Sequence, residues 1–291
     1  MRHIFLLTTC MLMLVVVPKS LPAQEKFDLQ NTNNHFYFST TVEGAPTDIM
    51  LESGIPAMLV ARSFYEENLK GTDLDFKPSV QPIRLFKNVY KIAYRAEGKI
   101  RVGNLIFDGP IYILDDFSGI SLPIQYLKMK DSLKTYITLD FQEKTMMVSG
   151  QKPNTSGERF KLHIDKKSGF PIVHSVLDIN SEEGNRKMKG DFIVDFGNPE
   201  LLFLMQQHKE VAKALQDQHL QFIEVLDKET SERVAYVMMP ESTTICGRKF
   251  EGKYIAVTEL MPAIEQLGFL GVPFFTGSVT FDFAGGMMMV P

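Results

Sequence analysis

Cysteine is the first scarcity. The chain of 291 residues has two, Cys10 and Cys246, and the first falls in a segment that reads as a leader. A mature chain with one cysteine forms no internal disulfide, and an exported protein without disulfides fits a bacterial envelope better than a eukaryotic secretory route. Basic clusters are missing too: 31 Lys and Arg stand against 35 Asp and Glu, a net charge of −4, so the electrostatic footprint of a nucleic-acid binder is absent. Beyond the N-terminus no apolar run is long enough to cross a bilayer. His35, His163, His174, His208 and His219 show no metal-ligand spacing, so neither a metal nor a cofactor is expected. No Gly-x-Ser-x-Gly elbow or phosphate loop occurs, and Ser149-Gly-Gln-Lys152 matches a Ser-x-x-Lys nucleophile only formally.

The N-terminus has a short basic start, Met1-Arg2-His3, an apolar run over 4–17, and a breaker with a small residue over Pro18 to Ala23. This predicts a signal peptide over 1–23, with retention as an anchor the alternative, and a periplasmic or secreted protein with no membrane span once the signal is removed. Residues 24–291 suffice for one large domain or two lobes.

What the sequence does have is a short motif used twice. Residues 49–54 read Ile-Met-Leu-Glu-Ser-Gly and residues 192–197 read Phe-Ile-Val-Asp-Phe-Gly, each with a proline two positions on, Pro56 and Pro199. Other landmarks recur in the same order. Val102-Gly103, Phe107 and Gly109 are matched by Cys246-Gly247, Phe250 and Gly252; Ile137 to Phe141 and Met146 to Val148 are matched by Val279 to Phe283 and Met288 to Val290. Offsets that drift by no more than two residues indicate a tandem duplication. Cys246, in the place of Val102, reads as a core strand residue.

Within each half, strands are expected over 36–42 and 171–177, rich in β-formers, ahead of the acid. Glu43-Gly44 forms a tight turn, while the polar segment 180–189 reads as a longer connection. Helical stretches follow each acid over 63–69 and 206–215, and Asp140 and Asp282 enter closing hairpins as structural residues. Most of the chain is short strands between turn signals, which means mainly β with a few short helices. Domain boundaries fall at 24–150 for the first half, 151–158 for a linker and 159–291 for the second half.

A carboxylate at the end of an apolar strand, present in two halves, can bring two acids face to face. Such a pair cannot ionise twice with ease, so one pKa is expected to rise and the other to fall. One member can then act as a base on water while the other donates to a substrate carbonyl.

The doubled acid motif resembles the pepsin- and retropepsin-like aspartic peptidases, in the single-chain, exported, two-lobe form. That family carries Asp, Thr or Ser, and Gly at this place in each lobe, and an apolar-apolar-Gly strand behind it. Phe269-Leu270-Gly271 matches the latter well, and in the first half Gly119 to Ile124 matches with Ser121 where glycine is expected. The resemblance implies a two-lobe acid-protease β-barrel fold and a catalytic pair of Glu52 and Asp195. Ser53, Gly54, Phe196 and Gly197 would support the acid loops. It further implies an extended peptide in the cleft between lobes and a flap around 86–90 from which Tyr90 or Tyr94 could meet the ligand.

Two departures stand out. Glu52 is one methylene longer than aspartate, about 1.5 Å of reach, and a misplacement of about 1 Å can cost on the order of 10²-fold in rate. Phe196 lacks the hydroxyl that braces the second acid loop, and its ring needs space beside the pair. The sequence therefore leaves three readings open: an acid endopeptidase working near pH 4–5, a catalytically inactive peptide- or glycan-binding relative, and an envelope protein with a structural role.

Overall fold

The computed structural model describes residues 24–33, 35–85, 88–154, 156–182, 184–216, 220–226, 228, 233–258 and 264–291. The expected leader, Phe86 and Lys87 of the expected flap tip, and His219 lie outside them. In the strand His35–Val42, Phe36 and Phe38 are buried while Tyr37 and Ser39 turn outward, the period-two pattern of a half-buried strand. Glu43 and Gly44 both take positive φ, 48° and 88°. That pair is the type I′ turn whose twist suits a two-residue hairpin. It feeds Ala45–Glu52 back in register, Val42 opposite Ala45 and Tyr37 opposite Met50. Ile49 and Leu51 point into the core, which fixes the strand and leaves Glu52 at its end.

The second half repeats this with a longer hairpin, Pro171–Ser181 against Gly184–Val194, closing with Ser181 opposite Gly184. Of the loop expected over 180–189, residues 180–181 and 184–189 are strand. Its polar residues lie on the exposed side of a projecting hairpin, so polarity there reports solvent contact rather than a break in pairing.

Behind each acid strand lies the same two-sided strand. Ile120–Pro123 runs parallel to the first acid strand, Pro123 opposite Glu52, and antiparallel to Met58–Ala61. Gly268–Leu270 runs parallel to the second, Leu270 opposite Val194, and antiparallel to Leu202–Met205. Met58–Ala61 and Leu202–Met205 each pair in parallel with a further strand, Leu105–Leu114 and Ile255–Thr258. This register corrects the match made from sequence: Pro123, not Ser121, stands where the second half has Gly271, and Ser121 answers to Phe269. Gly271 has no room for a Cβ, which would run into the carbonyls of Glu200 and Asn198.

The halves join through Tyr136–Asp140 and Val279–Asp282, antiparallel with Thr138 opposite Thr280 and their hydroxyls 2.9 Å apart. Outward from this pair come Thr145–Ser149 and Met287–Val290, then Gln24–Asp28 and Glu158–Ile164. Six strands are thus arranged evenly about the two threonines. Asp140 and Asp282 accept from turn N–H groups of Gln142 and Glu143, and of Gly285, so both are turn residues as expected. One continuous core runs through both halves.

The architecture is mainly β with few, short helices. Arg62–Phe64 leads into the wider turn Tyr65–Leu69, and Lys209–Leu215 is capped by His208, whose Nδ1 accepts from the Glu210 N–H. That second helix is shorter than the expected 206–215. Cys246 is not a strand residue: it opens the two-residue turn between Ser242–Ile245 and Arg248–Glu251 at φ 47°, the place Gly103 holds in the first half. It is buried, and burial pushes its thiol up to about 11, so it is not poised as a nucleophile. Among the described residues no helix is long and apolar enough to cross a membrane.

Candidate active site

The two acids meet at the floor of a cleft of about 690 Å³. Each is more than nine-tenths buried, Glu52 at 6% and Asp195 at 7% exposure, and both line the cavity. The glycines explain how they approach. A Cβ on Gly54 would collide with the Asp195 carboxylate, and a Cβ on Gly197 would collide with the Glu52 carboxylate. Each acid therefore packs on the bare backbone of the other half's loop. The extra methylene of Glu52 leaves this cross-packing intact, and its carboxylate still rests on Gly197. Asp195 is held by its own loop, with the Gly197 N–H donating to Oδ1 at 3.0 Å, and its amide donates to Leu270 O at 2.9 Å.

Between the loops runs a single hydroxyl. Ser53 Oγ donates to Val194 O at 2.8 Å and accepts from the Phe196 N–H at 3.1 Å, fully buried. No hydroxyl returns from the other side, because residue 196 is phenylalanine. Its ring does not crowd the acids, contrary to the expectation from sequence, and does not line the cleft. It turns away into a cluster with Phe275, Phe141 and Phe281, at centroid distances of 5.0, 5.5 and 5.7 Å. Ser53→Ala is expected to leave Val194 O and the Phe196 N–H unpaired and buried. That should lower stability by about 1–3 kcal/mol in a urea titration.

Sequence reasoning passed over Gln125. Its Nε2 reaches three carbonyls, Ser53 and Ile55 of the first acid loop at 3.2 and 3.3 Å and Gly169 of the second half at 3.1 Å. One amide thus pins the Glu52 loop to the opposite half. A glutamine behind a proline carries no local signal of this role. His35, set aside for want of metal spacing, lies in the cleft wall, and its buried Nδ1 has no partner.

No protein-family model matches the chain, and comparison with curated proteins finds no match.

Burial dominates the electrostatics. Glu52 is raised well above the ordinary carboxyl range, first by desolvation and then by the charge of Asp195, against weaker pulls from the Ser53 and Gly197 N–H groups. Asp195 is raised as well, to about 6, by desolvation, with the Gly197 N–H opposing. Where one raised and one lowered acid was expected, both rise, because each loses water on folding. The two titrate as a coupled pair, and the form with one proton between them lies above the ordinary carboxyl range.

The walls come from both halves. Pro82–Leu85 and Asn88–Val102 form a hairpin, Leu85 opposite Asn88, that overhangs the acids and contributes Ile83, Arg84 and Tyr90. Tyr90 meets Phe117 edge-on at 5.8 Å. Tyr94 faces elsewhere, packed on Tyr65 at 5.2 Å with Arg62 over its ring. Ser149 is occupied as a turn acceptor for the Gln151 N–H. Among the described residues no three His, Cys, Asp or Glu side chains gather as a metal site.

Proposed function

We propose that the chain is an exported, two-lobe aspartic-peptidase-like protein that hydrolyses peptide bonds with Glu52 and Asp195. The observation that carries this is the reciprocal seating of each carboxylate on the other loop's glycine, at the floor of one cleft. A loop glutamate and a loop aspartate of no function would be solvated, whereas these two are buried together at a cost that chemistry explains.

The pair works with one proton between its two carboxyls, in the microstate with Asp195 as the base and Glu52 as the acid. Asp195, ionised, takes a proton from a water as the water's oxygen bonds to the scissile carbonyl carbon. Glu52, still protonated, donates to the carbonyl oxygen, giving a neutral gem-diol. The Asp195 proton then passes to the amide nitrogen as the C–N bond breaks, and the new carboxyl returns a proton to Glu52. An extended peptide would lie under the 82–91 hairpin, pairing with backbone as an added strand does.

Both acids being raised moves the expected working range above the pH 4–5 suggested by sequence. Cleavage of an unfolded protein substrate should climb through about pH 6 as Asp195 ionises and fall once Glu52 loses its proton. It should vanish in Glu52→Gln and in Asp195→Asn. Hydrolysis that survives both substitutions overturns the dyad. The second reading, a peptide-binding protein without catalysis, is favoured by one observation, the missing hydroxyl at residue 196. Tight peptide binding with no hydrolysis at any pH would decide for it.

A further inference from the structure

Two apolar patches flank the acids, and strand register makes them counterparts. Ser121 lies opposite Leu59 in the first half, and Phe269 lies opposite Phe203 in the second. Both Ser121 and Phe269 line the cleft. Their surroundings differ in the residues that fill them. Leu59 packs with Ile83, Tyr90 and Phe117 to wall the space over Ser121. On the other side Phe269 itself fills the matching space, beside Phe170 and Ile264. A serine in place of a phenylalanine leaves room for an aromatic ring on the first side only.

The Ser121 side also carries an unpaired polar atom. Ser121 is 1% exposed, and among the described residues its Oγ has no hydrogen-bond partner. A buried hydroxyl without a partner carries a desolvation penalty that a ligand group can remove. Hydroxyl, aliphatic and aromatic walls together suit a large flat side chain with a hydrogen-bonding tip. A charged side chain there would lose its water among Leu59, Ile83 and Phe117.

We propose that the cleft reads the two central residues of a bound peptide differently, taking tyrosine over Ser121, with its phenol bonded to Ser121 Oγ, and an aliphatic side chain against Phe269. This rests on the reading of the cleft as a peptide site, but not on catalysis.

The test is equilibrium binding to the mature chain of octapeptides whose central bond is a non-cleavable reduced amide. The central pairs are Tyr-Leu, Leu-Tyr, Phe-Leu and Leu-Phe. In one of the two orders, tyrosine should bind about five- to tenfold more tightly than phenylalanine, the range of one hydrogen bond to a buried group. In Ser121→Ala that ratio should fall to about one, with phenylalanine affinity held within about twofold. In Ser121→Phe both aromatic peptides should weaken by about tenfold or more as the space is filled. Binding with no tyrosine preference, or a preference that persists in Ser121→Ala, overturns this proposal alone. No binding by any of the four overturns the peptide site and this proposal with it. Hydrolysis is not read, so its absence would bear only on the dyad.

Discussion

Phe196→Ser, which gives the second acid loop a hydroxyl at the place Ser53 holds in the first, is expected to destabilise the protein by about 3–5 kcal/mol, the usual cost of truncating a buried phenylalanine. The ring is 1% exposed and touches three other phenylalanines: Phe281 in one inter-half strand, Phe141 just past the end of the other, and Phe275 in the turn after Gly271. Removing it opens a cavity beneath the acids, where both halves meet. A serine there has compensation available. By the symmetry of the loops, its hydroxyl would find Leu51 O, the counterpart of the carbonyl Ser53 now serves, and would compete with the Glu52 carboxylate for the Ser53 N–H. A hydrogen bond is worth about 1 kcal/mol net, so even two leave the balance unfavourable. The check is the urea midpoint of Phe196→Ser and Phe196→Leu beside the parent chain. Leucine should recover part of the loss because it refills volume. A serine variant as stable as the parent would show that the ring is not the plug between the halves.

This explains how the chain can spare one hydroxyl. Where two bridging hydroxyls would tie the loops by hydrogen bonds, here Ser53 ties one direction, Gln125 adds an amide clamp, and Phe196 supplies apolar packing in the other direction. The loops are held by a mixture of polar and apolar contacts, and the cleft side of the acids stays clear.

How much of this was legible in the sequence depends on the kind of information. The two acid motifs and the closing strands could be read because their spacing is regular and their residue types are narrow. The far part of the second hairpin, over 180–189, could not, since charged residues on an exposed strand face resemble a loop by composition. Nor could the pairing of Ser121 with Phe269. A match by residue type slid the first half by two positions toward its nearest apolar pattern, and only hydrogen-bond register shows that Pro123 stands beside Glu52. The strand Gln24–Asp28 escaped notice as well, because what makes it a strand is its long-range pairing with Thr145–Ser149. The direction in which Phe196 points and the burial of both acids are tertiary facts, and from burial follows the upward shift of both.

Asp195→Asn is expected to abolish hydrolysis while making the fold more stable at neutral pH, two effects of opposite sign from one cause. Loss of the base removes the step that activates water, and general-base catalysis alone contributes about 10²–10⁴-fold. Stability follows from linkage. The Asp195 carboxyl has a raised pKa in the folded chain, about 6 against an ordinary 3.8, so between those values the folded state holds a proton that the unfolded state has released. Stability therefore falls as pH rises through this window, is whole below about 4, and has lost its full share above about 6. At 1.36 kcal/mol per pKa unit the share is on the order of 3 kcal/mol. Asparagine carries no charge at any of these pH values and keeps the oxygen that accepts from the Gly197 N–H. Removing the Asp195 charge also lifts one of the two influences that raise Glu52. Thermal unfolding from pH 4 to 8 should show both chains losing stability as pH rises, because burial keeps Glu52 raised in each, with the parent losing more across the window. The two should coincide near pH 4, with the variant ahead by about 6–12 °C above pH 6, on the scale of 2–4 °C per kcal/mol for a chain of this size. Parallel curves would mean that Asp195 is solvated in the folded protein, and the dyad would lose its physical basis along with its stability signature.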